Sequence, residues 1–240
     1  DNNMFAALFE PIRTIDDPRG PTPMCPGDGG GTNIPGPTVG DPVTGVIFVT
    51  STSNCSMNAV MPASESPLDS PEQTGVTYSD WSNAGGGGRG GGPTVDGLDI
   101  WKGPVGRIVA IDMNTAEHLW TIPNGDAPQE EQDAIRNHPL LRGVANIDEI
   151  ANRGRSGHSA MVVSPNLLFA SGMTADNEPH LFAIDKMTGR RVGQIPIPGI
   201  SRYGMSSWEH NGHQYIIVQL QDGLAAFGLP AAMPAAGDAH

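Results

Sequence analysis

Basic residues are scarce: 13 Lys and Arg stand against 26 Asp and Glu, a net charge of −13 over 240 residues. Such a field repels polyanions, which argues against nucleic acid and anionic membranes as partners. Long apolar runs are missing too; no stretch approaches the roughly 18 residues that a spanning helix needs, so no membrane span is expected. Cysteine occurs only at Cys25 and Cys55, in Gly/Pro/Ser-rich polar sequence, with no CxxC and no Cys/His cluster. Zinc and thioredoxin-like readings fail on that pattern. Two alternatives stay open: a Cys25–Cys55 bridge formed in an oxidising compartment, or two free structural thiols. No nucleophile elbow, kinase set or HExxH motif is present. The chain opens Asp1-Asn2-Asn3-Met4, without a signal peptide or initiator, and is expected to be a processed product or one piece of a longer one.

Backbone punctuation is abundant instead, with 32 glycines and 22 prolines. That composition fits many short strands joined by turns and disfavours a helical bundle. Residues 1–40 are irregular. Asp41-Pro42-Val43-Thr44-Gly45 then reads as a turn, and Val46-Ile47-Phe48-Val49-Thr50 as a buried strand. A long loop insertion follows over about 51–103, with the run Gly85-Gly86-Gly87-Gly88-Arg89-Gly90-Gly91-Gly92. No Gly-Lys-Ser/Thr follows it, so a flexible or ligand-covering surface loop is expected rather than a phosphate loop.

A repeat comes next. Ala110, Asp112, Thr115 and Pro123 match Ala183, Asp185, Thr188 and Pro196 at a constant offset of 73. Each unit reads as a strand, an Asp-x-x-Thr turn and a second strand, because Asp and Thr side chains bond turn backbone groups. The offset exceeds the roughly 40–50 residues of a plain propeller blade; the excess lies in 124–155, which holds a predicted helix over Gln129–Arg136 behind Pro128. A hairpin is predicted around Ser164-Pro165-Asn166, and another around Asn211-Gly212. A last strand falls within Leu220–Gly228, and 231–240 reads as a flexible C-terminal tail. Repeated four-stranded units argue for an all-β β-propeller.

The Ala-x-Asp-x-x-Thr pattern, followed by a hydrophobic strand, resembles the blades of PQQ (pyrroloquinoline quinone)-dependent alcohol and sugar dehydrogenases. The stretch from Gly204-Met205 through Asn211-Gly212 to Ile217-Val218 resembles the closing segment of the membrane glucose dehydrogenase-like group. Gly29-Gly30-Gly31-Thr32-Asn33 resembles the Gly-rich stretch that lies at the cofactor pocket in those quinoproteins. The resemblance covers about Phe9 to Pro230 and implies a partial propeller domain over 1–230, the C-terminal three to four blades of an eight-bladed ring. It implies PQQ as cofactor, with Gly30, Gly31, Thr32 and Asn33 as cofactor-binding residues and the Asn33 amide beside the quinone edge. Arg155 and His158, in the Arg153–His158 stretch, are candidates for the substrate mouth. Departures from the pattern are Gly193 where Trp120 has its counterpart, Ala116 at the expected turn glycine, and Ile34 where tryptophan is usual.

No residues match the family's catalytic aspartate, its lysine partner or its cation ligands, so no catalytic or metal residue is assigned to this chain. The expected partners are a polypeptide carrying the N-terminal blades, which holds most of the ligands of a divalent cation (calcium), an alcohol or sugar substrate, and an electron-acceptor protein. A periplasmic or secreted location is expected. The rival expectation is a non-catalytic PQQ-like propeller that acts as an extracytoplasmic scaffold; a third is a polysaccharide-binding β-domain. His210 and His213 flank a hairpin turn and read as exposed residues rather than metal ligands, and Trp120 and Trp208 as packing residues.

Overall fold

A computed structural model describes residues 11–27, 38–65, 75, 77–80, 92–155, 159–201 and 203–228. The apolar runs become strands wherever a turn signal lets the chain fold back on its neighbour. The first are β1 (Thr22–Met24), β2 (Val39–Asp41), β3 (Val46–Thr52), β4 (Ser56–Asn58), β5 (Val60–Pro62) and β6 (Tyr78–Asp80). Then come β7 (Thr94–Val95), β8 (Leu98–Asp99), β9 (Gly106–Asp112) and β10 (His118–Pro123), followed by helices α1 (Gln129–Arg136) and α2 (Ile147–Ala151). The remainder is β11 (Met161–Val163), β12 (Leu167–Met173), β13 (Pro179–Asp185), β14 (Arg191–Pro196), β15 (Met205–His210), β16 (His213–Gln219) and β17 (Leu224–Gly228).

Three antiparallel sheets dominate. The first runs β2-β3-β9-β10, the second β11-β12-β13-β14, and the third β15-β16-β17. The repeat read from the sequence is a structural one: β13 and β14 begin and end 73 residues after β9 and β10. Trp120 faces Ala110 across its ladder as Gly193 faces Ala183. In the second unit the Asp185 carboxylate accepts from the backbone N–H of Met187 and Thr188 and from the Thr188 hydroxyl, which holds its carboxyl below the usual range. Both turns then need a left-handed residue. Gly189 supplies it at φ 73°, and Ala116 is forced into it at φ 60°.

The sheets stack face to face. Phe48, Ile108 and Ala110 of the first sheet bury against Met161, Leu168, Phe182 and Ile184 of the second. The opposite face of the second sheet brings Leu181, with Val162 and Phe169, against Ile216 and Val218 of the third. A sheet covered on both faces has no polar side, which is why Met161-Val162-Val163 and Leu167-Leu168-Phe169-Ala170 read as continuous apolar runs. Two polar locks join the first sheet to the second. Lys186 Nζ bonds the Asp41 carboxylate at 2.6 Å, with both side chains buried. The Trp120 indole N–H donates to the Lys186 carbonyl at 3.1 Å, its ring pressed on Gly189, where a Cβ would lie 2.9 Å away.

Residues between β3 and β9 are not featureless. They carry β4 to β8 in short ladders, β1 with β4, β5 with β6 and β7 with β8. Cys25 and Cys55 are joined in a disulfide, Cα atoms 4.5 Å apart, which decides between the two alternatives left by the sequence. The described residues are largely β-strand and close no ring. Trp208 lies outside both apolar clusters: it is 52% exposed, on the face of the third sheet that points away from the second.

Candidate functional site

At one end of the first sheet β3 stops, β9 begins and β10 stops, with Thr52 opposite Gly106 and Pro123 opposite Arg107. The chain returns to this end after α2 and is hydrogen-bonded onto it. Val105 N–H donates to Arg153 O at 2.7 Å, and Arg155 N–H to Asn124 O at 3.0 Å. Between them Gly154, at φ 63°, lies so close to the ladder that a Cβ would collide with the Gly106 carbonyl and sit 2.8 Å from Asn124 N. Only glycine fits there.

Beyond this end lies a cavity of about 370 Å³. Asn54 and Cys55 form one wall, Ile100, Trp101 and Val105 a second, Pro128 and Glu131 of the α1 start a third, and Arg153 to Arg155 the floor. That volume is in the range of small-molecule and cofactor sites. Two lining residues carry buried polar atoms without a hydrogen-bond partner among the described residues: the donor Trp101 Nε1 and the acceptor Asn54 Oδ1. An orphaned buried polar atom costs about 1–3 kcal/mol, and both of these belong to residues that line the cavity.

The cations of the site are already engaged. Arg153 pairs with Asp99 and donates to the Trp101 carbonyl at 2.8 Å, which ties down the loop that carries the indole. Arg155 lines the cavity as a mouth residue would, but its fork donates to Asp126 O, Thr174 O and Asn177 Oδ1. It joins the first sheet's end to the β12–β13 corner. Asp126 is in turn held by Arg191 through both carboxylate oxygens and by the Asn152 amide. Gly30, Gly31, Thr32, Asn33 and His158 lie outside the described residues. His210 and His213 face each other at the exposed end of the β15–β16 hairpin, His210 stacked on Trp208 at 5.2 Å. Among the described residues no three His, Cys, Asp or Glu side chains gather as a metal site.

Trp101, Asn54 and Cys55 were not singled out as site residues by sequence reasoning. Two signals stood at these positions: a tryptophan in an Ile-Trp-Lys-Gly-Pro loop and a cysteine with a single possible mate.

A sequence model of the glucose/ethanol/alcohol dehydrogenase β-propeller domain (PQQ) matches residues 3–216. The glycerol dehydrogenase large subunit of Gluconobacter thailandicus is 29% identical over 148 residues, covering 57% of this chain and 18% of that protein. Its counterpart in Gluconobacter oxydans (strain 621H) is 28% identical over 145 residues, 56% of this chain and 18% of that one. The chain thus spans less than a fifth of the length of the curated relatives it matches. Among solved structures, the quinohemoprotein alcohol dehydrogenase from Comamonas testosteroni superposes with a TM-score of 0.47 at 16% identity, over 90% of this chain and 28% of that one. A europium-containing methanol dehydrogenase gives 0.43 at 15% identity, over 76% and 24%.

Proposed function

The chain belongs to the PQQ-dependent glucose/ethanol/alcohol dehydrogenase β-propeller family, and on that premise we propose that it supplies the C-terminal blades and one wall of the cofactor cavity of a dehydrogenase that oxidises an alcohol or sugar hydroxyl. The three stacked sheets are read as successive blades, within a domain over 1–230 and ahead of a tail over 231–240. The observation that carries the functional reading is the cavity at the end of the first sheet, with its unpartnered donor and acceptor. PQQ is planar, tricyclic and bears three carboxylates, quinone carbonyls and a pyrrole N–H, so it offers both partners. Trp101 and Asn54 are the lining residues that would hold it. Arg153 holds Trp101 in place and offsets the charge of Asp99. When bound, PQQ supplies the carbonyl that accepts a hydride from the substrate carbon.

This chain's share of the reaction is binding and exclusion of water. The aspartate that takes the hydroxyl proton, and the ligands of the calcium ion, are assigned to protein outside this chain, as is the electron acceptor. Asn33, with Gly30, Gly31 and Thr32, is assigned to the quinone edge, and Arg155 and His158 to the mouth. The names of the Gluconobacter relatives suggest a polyol as substrate. A periplasmic or secreted setting is consistent with the disulfide.

A second reading, a cofactor-free scaffold, draws on the Arg155 guanidinium being committed to protein acceptors. PQQ titration of the complete protein separates the two. We expect stoichiometric uptake with a quinone absorbance, and about a tenfold rise in Kd for Trp101→Phe with an unchanged far-UV spectrum. No uptake by the complete protein would establish the scaffold instead.

A further inference from the structure

We propose that the Cys25–Cys55 disulfide is a positioning element of the cavity: it holds the Asn54–Cys55 wall where a ligand meets it. The inference rests on the cofactor reading above. Cys55 is 5% exposed and lines the cavity beside Asn54, whose Oδ1 is one of the two unpartnered atoms. Neither Cys55 nor any residue of β1 or β4 belongs to the two apolar clusters that join the large sheets. Among the described residues the backbone of this wall is held by Ser53 N–H to Val105 O, by Gly27 N–H to Asn54 O, both 2.7 Å, and by the three-residue ladder of β1 with β4. A two-strand ladder of that length is not independently stable in water. The bridge joins the residue after β1 to the residue before β4 and so makes the ladder permanent.

The wall also has no slack. A Cβ on Gly92, another lining residue, would lie 2.6 Å from the Cys55 carbonyl, and one on Gly27 would lie 2.7 Å from Ser56 N. Backbone therefore packs on backbone on both sides of the bridge, and a shift of Cys55 is passed directly to the cavity surface. The large sheets carry their own cores, so releasing the bridge loosens the site and leaves the bulk of the fold intact.

The test is PQQ titration of the complete protein, oxidised and as the Cys25→Ser/Cys55→Ser variant, with Kd and far-UV spectrum read together. We expect Kd to rise about tenfold or more, with the far-UV spectrum unchanged. A parallel sample of folded wild-type protein guards against a variant that fails to fold. A dithiol delivers two electrons and two protons, the S–S bond opens to two thiols, and the dithiol leaves as its cyclic disulfide and is removed before PQQ is added. The same rise in Kd is expected there. A Kd within about twofold of the oxidised value overturns the proposal, as does a loss of affinity that only accompanies loss of the far-UV signal. Failure of the oxidised protein to take up PQQ overturns both this inference and the cofactor reading, whereas equal uptake by both forms overturns this inference alone.

Discussion

Ala116 and Gly189 occupy the same position in the two repeated turns, and the backbone asks the same of both: each N–H closes on the carbonyl four residues back, Asp112 and Asp185. With φ at 60°, Ala116 bears a Cβ where glycine would bear none. The left-handed region costs an L-residue about 1–2 kcal/mol, partly offset by the extra freedom glycine has when unfolded. Ala116→Gly should therefore raise stability by about 1 kcal/mol, read as a higher denaturant midpoint at unchanged m-value; a fall would mean the turn is not strained at this residue. That mismatch was legible in the sequence because the turn is local and its repeat stands 73 residues on. Trp101 and Asn54 were not, because what gives them meaning is a cavity assembled from residues within 54–55, 92–105, 128–131 and 153–155, which no local pattern encodes. The cysteine pairing stayed open for the same reason: two cysteines have one possible partner each, but nothing local brings them together.

Among the elements, the hairpins and α1 were readable because each is specified over fewer than a dozen residues. Pro128 starts the helix at the expected residue, and Asn211 and Gly212 take φ 51° and 76° in the β15–β16 turn. Strands β4 to β8, of two or three residues, carry too little alternation to be seen, and β1 finds its mate 34 residues away. The junction of the first two sheets was equally invisible. There the hydrogen bond from Lys186, with a smaller share from Thr44, holds the Asp41 carboxyl at about 2, below its ordinary 3.8. Folding thus favours the ionised form. Its contribution is complete above about pH 4 and is lost as the pH falls through the interval down to about 2. Melting temperatures taken from pH 6 to pH 2 should show this loss in the native protein and not in Asp41→Asn. At neutral pH, Lys186→Met should cost about 3–5 kcal/mol, because it leaves a buried carboxylate without its partner. Parallel pH profiles for native and variant would separate the junction from this pair.

Across the whole molecule one packing step is used twice and then stops. The second sheet is covered on both faces, whereas the outward face of the third presents Trp208 beside Tyr215, ring centroids 5.7 Å apart, and Leu224 at 72% exposure. Among the described residues its last strand, β17, pairs with β16 alone. Exposed apolar sheet faces and unpaired strand edges drive association. Residues 1–240 by themselves should self-associate, and Trp208→Ser with Leu224→Ser should shift them towards monomer in light scattering. In the complete protein the same pair should instead weaken attachment of this segment. A lone chain that stays monomeric with Trp208 in place would show that the face needs no cover.

The connection between β3 and β9 also sets an order of events. The first sheet forms only when Phe48 meets Ala110 across residues 53–105, while β12 meets β13 across 174–178. Closing a loop some ten times longer costs roughly 2 kcal/mol more in chain entropy, and non-local pairings of this kind are slow to form. The second and third sheets are therefore the early structure, a platform on which the first is laid. The cavity, which lies where β3 and β10 stop and β9 begins, takes shape after them.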